Sequence, residues 1–167
     1  MHSTNNNSGE PLLKKIRLWI MVFVIMLILS GITAFPIQTG INFLAEHKEI
    51  FPDFLEEWIT TIQIGINDTW PKYPFIAYGT DWLAFAHIVI GMAFIGAYID
   101  PVRNIWIIHW GMLNCVAVLP LALICGPIRD IPWFHILIDC SFGILGLIPL
   151  YIVLKLIRKL EAMKTSN

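Results

Sequence analysis

Four long apolar runs, separated by one long and two short polar breaks, organise this chain. They cover about 16–35, 82–99, 105–125 and 134–157. Each is near the ~20 residues that a helix rising about 1.5 Å per residue needs to cross ~30 Å of hydrocarbon. The breaks carry their own signals. Asp100-Pro101-Val102-Arg103-Asn104 combines charge with a proline, and the segment from Gly126 to Pro132 holds two prolines around Arg129 and Asp130. The pattern therefore predicts an all-α membrane protein built as a four-transmembrane-helix bundle over 16–157.

A different periodicity governs the longest break, residues 36–81. Ile37, Ile41 and Leu44 form one short stripe, and Leu55, Trp58, Ile59, Ile62 and Ile66 form a longer one at helical spacing, with Pro52-Asp53 as a helix start. Two amphipathic helices lying on the outer membrane surface, or capping the bundle, are expected here. Trp70-Pro71-Lys72-Tyr73-Pro74 then reads as a stiff aromatic return to the interface. The polar, Asn- and Ser-rich start predicts a disordered cytoplasmic tail over 1–15, and 158–167 a second cytoplasmic tail.

Composition agrees with a bilayer environment: 57% of residues are hydrophobic and 14% charged, against about 25% charged in ordinary soluble domains. Mean hydropathy is +0.70. The net charge of −1 gives no nucleic-acid signal. Placement of the cations is more informative. Lys14, Lys15, Arg17, Arg103, Lys155, Arg158, Lys159 and Lys164 fall on one side of the four runs, and Lys48, Lys72 and Arg129 on the other. Positive loops stay cytoplasmic, so a multi-pass protein of the cell membrane with both termini inside is expected. Lys14-Lys15-Ile16-Arg17 also resembles the charged start of a secretory signal. The apolar run that follows is longer than a usual signal core, and no A-x-A site stands near Ala34-Phe35-Pro36, so it is read as a retained span.

Candidate chemistry is confined to ionisable groups inside the runs. A carboxylate near a helix centre costs roughly 2.5–3.5 kcal/mol even on the insertion scale, and Asp139 sits about six residues into the fourth run. His135 lies one turn before it, and Gly143 and Gly146 continue its face, which should meet a helix rather than lipid. His87, flanked by Ala84 and Gly91, enters the second run from the same outer side to a similar depth. The candidate intramembrane polar site is therefore His87, Asp139 and His135, with Asp81, Arg129 and Asp130 nearer the outer water. Such a group can fix helix register as a buried ion pair, relay protons in a proton-coupled carrier, or ligate haem b through His87 and His135 in a redox anchor subunit.

Nothing in the chain raises one of these to a reaction. There is no H-E-x-x-H, C-x-x-C, Gly-rich phosphate loop or serine nucleophile motif. No catalytic residue and no metal site is assigned, and haem b is the one cofactor the histidines bring to mind. Cys115, Cys125 and Cys140 all fall inside or at the ends of runs and are read as small apolar residues. Asn114, deep in the third run, is expected to hydrogen-bond to a neighbouring helix, and His109 to sit at the cytoplasmic interface beside Trp106 and Trp110. The expected partners are the lipid bilayer and other membrane subunits or further copies of the chain. The reading that follows is a small polytopic structural or accessory protein without evident catalysis.

Overall fold

The computed structural model describes residues 9–165, and among them every regular element is helical. The helices are α1 (Gly9–Ile32), α2 (Ile37–Glu46), α3 (Asp53–Thr69), α4 (Pro74–Ala93), α5 (Ile95–Ile99), α6 (Ile105–Ile128) and α7 (Trp133–Thr165), with a single 3-10 turn at Lys48–Ile50. Three stretches are long and apolar enough to cross a membrane: Pro74–Ile99, Ile105–Ile128 and Trp133–Met163. A fourth exists if α1 and α2, bent by 80° at the break between them, count as one.

That bend has a local cause. Pro36 has no N–H to continue the α1 ladder and disfavours helical backbone at Phe35. The last α1 carbonyls are instead met by short-range bonds, Ala34 N–H to Gly31 O at 2.9 Å and Phe35 N–H to Ile32 O at 3.2 Å. Ser30 and Thr33 return their hydroxyls to the carbonyls of Leu27 and Ser30 at 2.8 Å each. Their polar groups are thereby satisfied without a partner helix.

The chain forms two compact units: one joins the residues up to Met26 to those from Gly91 onward, and the other is Leu27–Ile90. The first unit is dominated by α6 against α7. Gly143 allows this close pairing, since a Cβ there would lie 2.5 Å from the backbone oxygen of Cys115. Lipid gives no hydrophobic force between helices, so small residues that let backbones approach are what van der Waals packing requires. Ile136, Cys140 and Leu150 continue the inward line of α7 at helical spacing, and all are buried. At the other end of the unit, Ile16 and Ile20 of α1 and Ile157 of α7 are wholly buried. Phe94, also wholly buried, packs at a tilt of 50° against Phe23 with centroids 4.9 Å apart and fills the space that Gly111 leaves open.

Helix ends in this unit are sealed by side chains and turns. Arg17 donates to two carbonyls at the end of α5, Nε to Tyr98 O at 3.0 Å and a terminal nitrogen to Ile99 O at 3.2 Å, with its guanidinium over the Tyr98 ring. Asn104 donates from Nδ2 to Gly96 O and Asp100 O, both at 3.0 Å. The last turn of a helix leaves carbonyls without intrahelical donors, and these two residues supply them. Helix α6 ends in a Schellman turn: Ile131 N–H bonds Gly126 O at 3.0 Å, Asp130 N–H bonds Pro127 O at 3.2 Å, and Asp130 holds φ 55°. Ile131 then packs beside Ala122, Ile136 and Cys140.

The second unit is centred on an antiparallel-length hairpin of α2 and α3. Ile41 and Ile59 are buried, and Leu55, Trp58, Ile62 and Ile66 are half-buried, so both expected stripes belong to real helices. The amides pair across it: Gln38 Nε2 to Asn67 Oδ1 at 2.9 Å, Asn67 Nδ2 to Asn42 Oδ1 at 2.9 Å, and Gln63 Nε2 to Asn42 Oδ1 at 3.2 Å. Lys48 closes the connecting turn on Glu56 at 3.0 Å.

Several boundaries differ from the hydropathy pattern. Residues 9–15, expected in a tail, are the first turns of α1, where Lys14 reaches Glu10 at 2.9 Å one turn back. The hydrogen bond and charge of Lys14 hold the Glu10 carboxyl below its ordinary value of 4.5. The expected disorder of 1–8 lies outside the described residues. Helix α4 begins at Pro74 rather than near 82, with proline at its first position. Helix α7 runs on to Thr165, well past the end of the apolar run.

Candidate functional site

His87 lies on α4 in the Leu27–Ile90 unit. Its Nδ1 lies 2.7 Å from the carbonyl oxygen of Leu83, one turn back. A carbonyl only accepts, so Nδ1 carries the proton and Nε2 is the ring atom left open. Helix α1 closes over the face that holds His87: a Cβ on Gly31 would lie 2.5 Å from the His87 Cβ and 3.0 Å from the Ala84 carbonyl oxygen. Ala84 is wholly buried and Gly91 is buried. Within this unit the close approach beside His87 is made by Gly31 of α1 against Ala84.

His135 and Asp139 belong to the other unit, on the first two turns of α7. His135 Nε2 and Asp139 Oδ1 are 3.8 Å apart, with side chains 36% and 42% exposed. That is too long for a hydrogen bond, and it is an ion pair only when the imidazole is protonated. The glycines of the same face diverge from the pair. Gly143 and Gly146 turn inward to Cys115, whereas Asp139 sits on the flank, one position before the buried Cys140.

The outer-interface candidates separate by element. Asp81 is half-buried within α4, whereas Arg129 and Asp130 are exposed and form the turn that ends α6. Asp130 is placed by backbone geometry: the short polar side chain tolerates the left-handed region that a Schellman turn imposes. Asn114 is exposed on α6, and among the described residues no hydrogen bond engages its side chain. His109 is exposed beside Trp106 and Trp110, as its position near the start of α6 suggests. All three cysteines are free thiols, Cys115 and Cys140 buried and Cys125 exposed. Among the described residues, no three His, Cys, Asp or Glu side chains gather around a common metal position.

Two residues with defined roles escaped the sequence reading. Arg17 counted only as one charge of a positive flank, although five guanidinium donors make it a natural cap for carbonyls at a helix end. Asn104 belongs to a charged, proline-containing break in the sequence, yet it seals α5. Comparison with known protein families, with curated proteins and with solved structures found no match.

Proposed function

We propose that this chain is a four-span protein of the cell membrane, with both termini cytoplasmic, serving as a structural or accessory component whose outer half meets another membrane protein. The observation that carries this reading is the half-exposed flank of His135 and Asp139. Asp139 lies six residues beyond Trp133, about 9 Å along the helix at 1.5 Å per residue. A carboxylate at that depth is expensive against lipid and is retained where a protein surface or a partner charge covers it. The amphipathic hairpin of α2 and α3 lies on the membrane surface in this reading, with exposed Phe43, Phe54 and Ile64 available to the interface.

The experiment is site-specific photo-crosslinking in cells, with the reactive residue at Ile138, beside Asp139, or at Leu123 of α6. A single membrane polypeptide captured in stoichiometric yield from position 138 and not from 123 is the expected result. Lipid adducts alone from both positions end the accessory reading. Reporter fusions at both termini check the topology independently.

One observation favours a second reading. With Nδ1 committed to Leu83, His87 keeps Nε2 open as a ligand atom, as a haem b-binding anchor subunit requires. A stoichiometric Soret band in the purified protein, lost in H87A, replaces the accessory reading with that one.

A further inference from the structure

A cavity of about 190 Å³ lies between the first turns of α1 and the last turns of α7, lined by Pro11, Leu12, Lys15, Lys159 and Met163. Both walls belong to the same compact unit. The helices meet there: a Cβ on Gly9 would be in ordinary contact with Leu160 at 3.5 Å, and Leu160 and Ile157 are buried below. A water needs roughly 10–15 Å³ of such space, so a phosphate group fits.

Its level relative to a bilayer follows from the two helices. Lys15 immediately precedes the apolar run that starts at Ile16, and Lys159 follows the run that ends at Ile157. Both ammonium groups therefore stand at one membrane boundary, at the height of the lipid headgroups, while Leu12, Pro11 and Met163 give the cavity an apolar wall.

Among the described residues the two lysines are also unengaged, as are Arg103 and Arg158 outside the cavity. Lys14 is spent on Glu10, Arg17 on the carbonyls of Tyr98 and Ile99, and Lys155 on the Tyr151 ring at 4.6 Å. Among the described residues, no carboxylate and no hydrogen bond engages the side chains of Lys15 or Lys159. Two lysines without a carboxylate partner, lining one cavity with an apolar wall, make a site for a group that is anionic at one end and greasy at the other.

We propose that Lys15 and Lys159 form a binding site for the phosphate of an anionic phospholipid. A basic pocket between membrane helices at the cytoplasmic boundary is the general form of such a site. The assignment to the cytoplasmic leaflet rests on the topology proposed above; the site itself rests only on the cavity and its two lysines.

The test uses the full chain purified in a neutral detergent and incubated with equal amounts of phosphatidylglycerol and phosphatidylcholine of the same acyl chains. Native mass spectrometry then counts the lipids retained. One phosphatidylglycerol per chain is expected, with phosphatidylcholine left behind. K15M and K159M should each weaken retention about fivefold, the change that ~1 kcal/mol per lysine gives, whereas R158M, removing a cation outside the cavity, should leave it unchanged. Raising ammonium acetate from 50 to about 500 mM should displace the lipid from the unaltered protein, because an exposed charge pair is screened over a Debye length of ~10 Å or less.

Equal loss in R158M and K15M, or retention insensitive to both lysine substitutions, overturns the site. Displacement of phosphatidylglycerol by millimolar inorganic phosphate, with phosphate itself retained, overturns the lipid as its source. Retention of phosphatidylglycerol by a chain whose reporters place the termini outside leaves the cavity assignment intact and overturns only the topology.

Discussion

Two helical hairpins in this chain solve the same packing problem by opposite means. Between α6 and α7 the contact is made by removing atoms: Gly143 brings backbone against backbone, and Ile136, Cys140 and Leu150 fill the seam. Between α2 and α3 it is made by adding polar ones, with Asn42 accepting from both Gln63 and Asn67 beside a short apolar stripe. In hydrocarbon an unpaired amide is costly and apolar contact with lipid costs nothing, so shape alone has to discriminate. On the membrane-surface placement proposed for α2 and α3 the balance reverses, and hydrogen bonds can fix register while Ile41 and Ile59 supply the adhesion.

The largest expected effect breaks the first hairpin. Gly143→Ala places a Cβ 2.5 Å from the Cys115 carbonyl oxygen, and backbone cannot yield as a flexible side chain does. A loss of about 3 kcal/mol is expected, at the upper end of ordinary overpacking costs, read as a lower melting temperature in detergent. Unchanged melting would mean that the seam is not as tight as the glycine implies. Asn42→Leu should come next, at roughly 1 kcal/mol or a little more, because two donors lose one acceptor at a partly solvated site. Proteolysis within 36–73, with the α6–α7 hairpin remaining resistant, is the measurement.

Gly65 sharpens the contrast, since nothing lies within 4 Å of a Cβ built on it. Gly65→Ala should stabilise α3 by about 0.5–1 kcal/mol through helix propensity alone. Opposite signs for the same substitution at Gly65 and Gly143 would separate open from crowded helix faces directly. The smallest effect concerns the start of α1. The Glu10 carboxyl is depressed by Lys14, so its contribution is present above the unfolded value and is lost as pH falls through the folded one. A smaller amide protection factor around Leu13 and Lys14, after correction for the pH dependence of intrinsic exchange, is expected as the Glu10 carboxyl is protonated, and E10Q should abolish that pH step.

Much of this architecture was legible in the apolar pattern, and the reasons for the misses are physical. Runs of hydropathy mark where a helix is in contact with hydrocarbon, not where its hydrogen-bond ladder begins. Helix α4 thus starts at Pro74, eight residues before Trp82, and α7 continues through Lys155, Arg158 and Lys159 to Thr165. The α2 and α3 stripes were readable because apolar residues recur at helical spacing around the buried Ile41 and Ile59. That Gly31 is what packs on the face of His87 left no such trace. It depends on tertiary register between segments more than fifty positions apart, which spacing along one helix does not encode. Of the candidate site, the His135–Asp139 neighbourhood follows from spacing of one turn, whereas its half-exposed placement on the flank of α7 was set by which residues Gly143 turned toward α6.

The double contact of Arg17 bears on how the chain is made. Its acceptors lie 81 and 82 residues downstream. During synthesis the guanidinium therefore emerges long before either carbonyl exists, and for that interval it is a cation in the N-terminal half of α1 without these acceptors. Once Tyr98 and Ile99 arrive, the same group becomes a clasp that ties α1 to the end of α5 across more than eighty residues of chain.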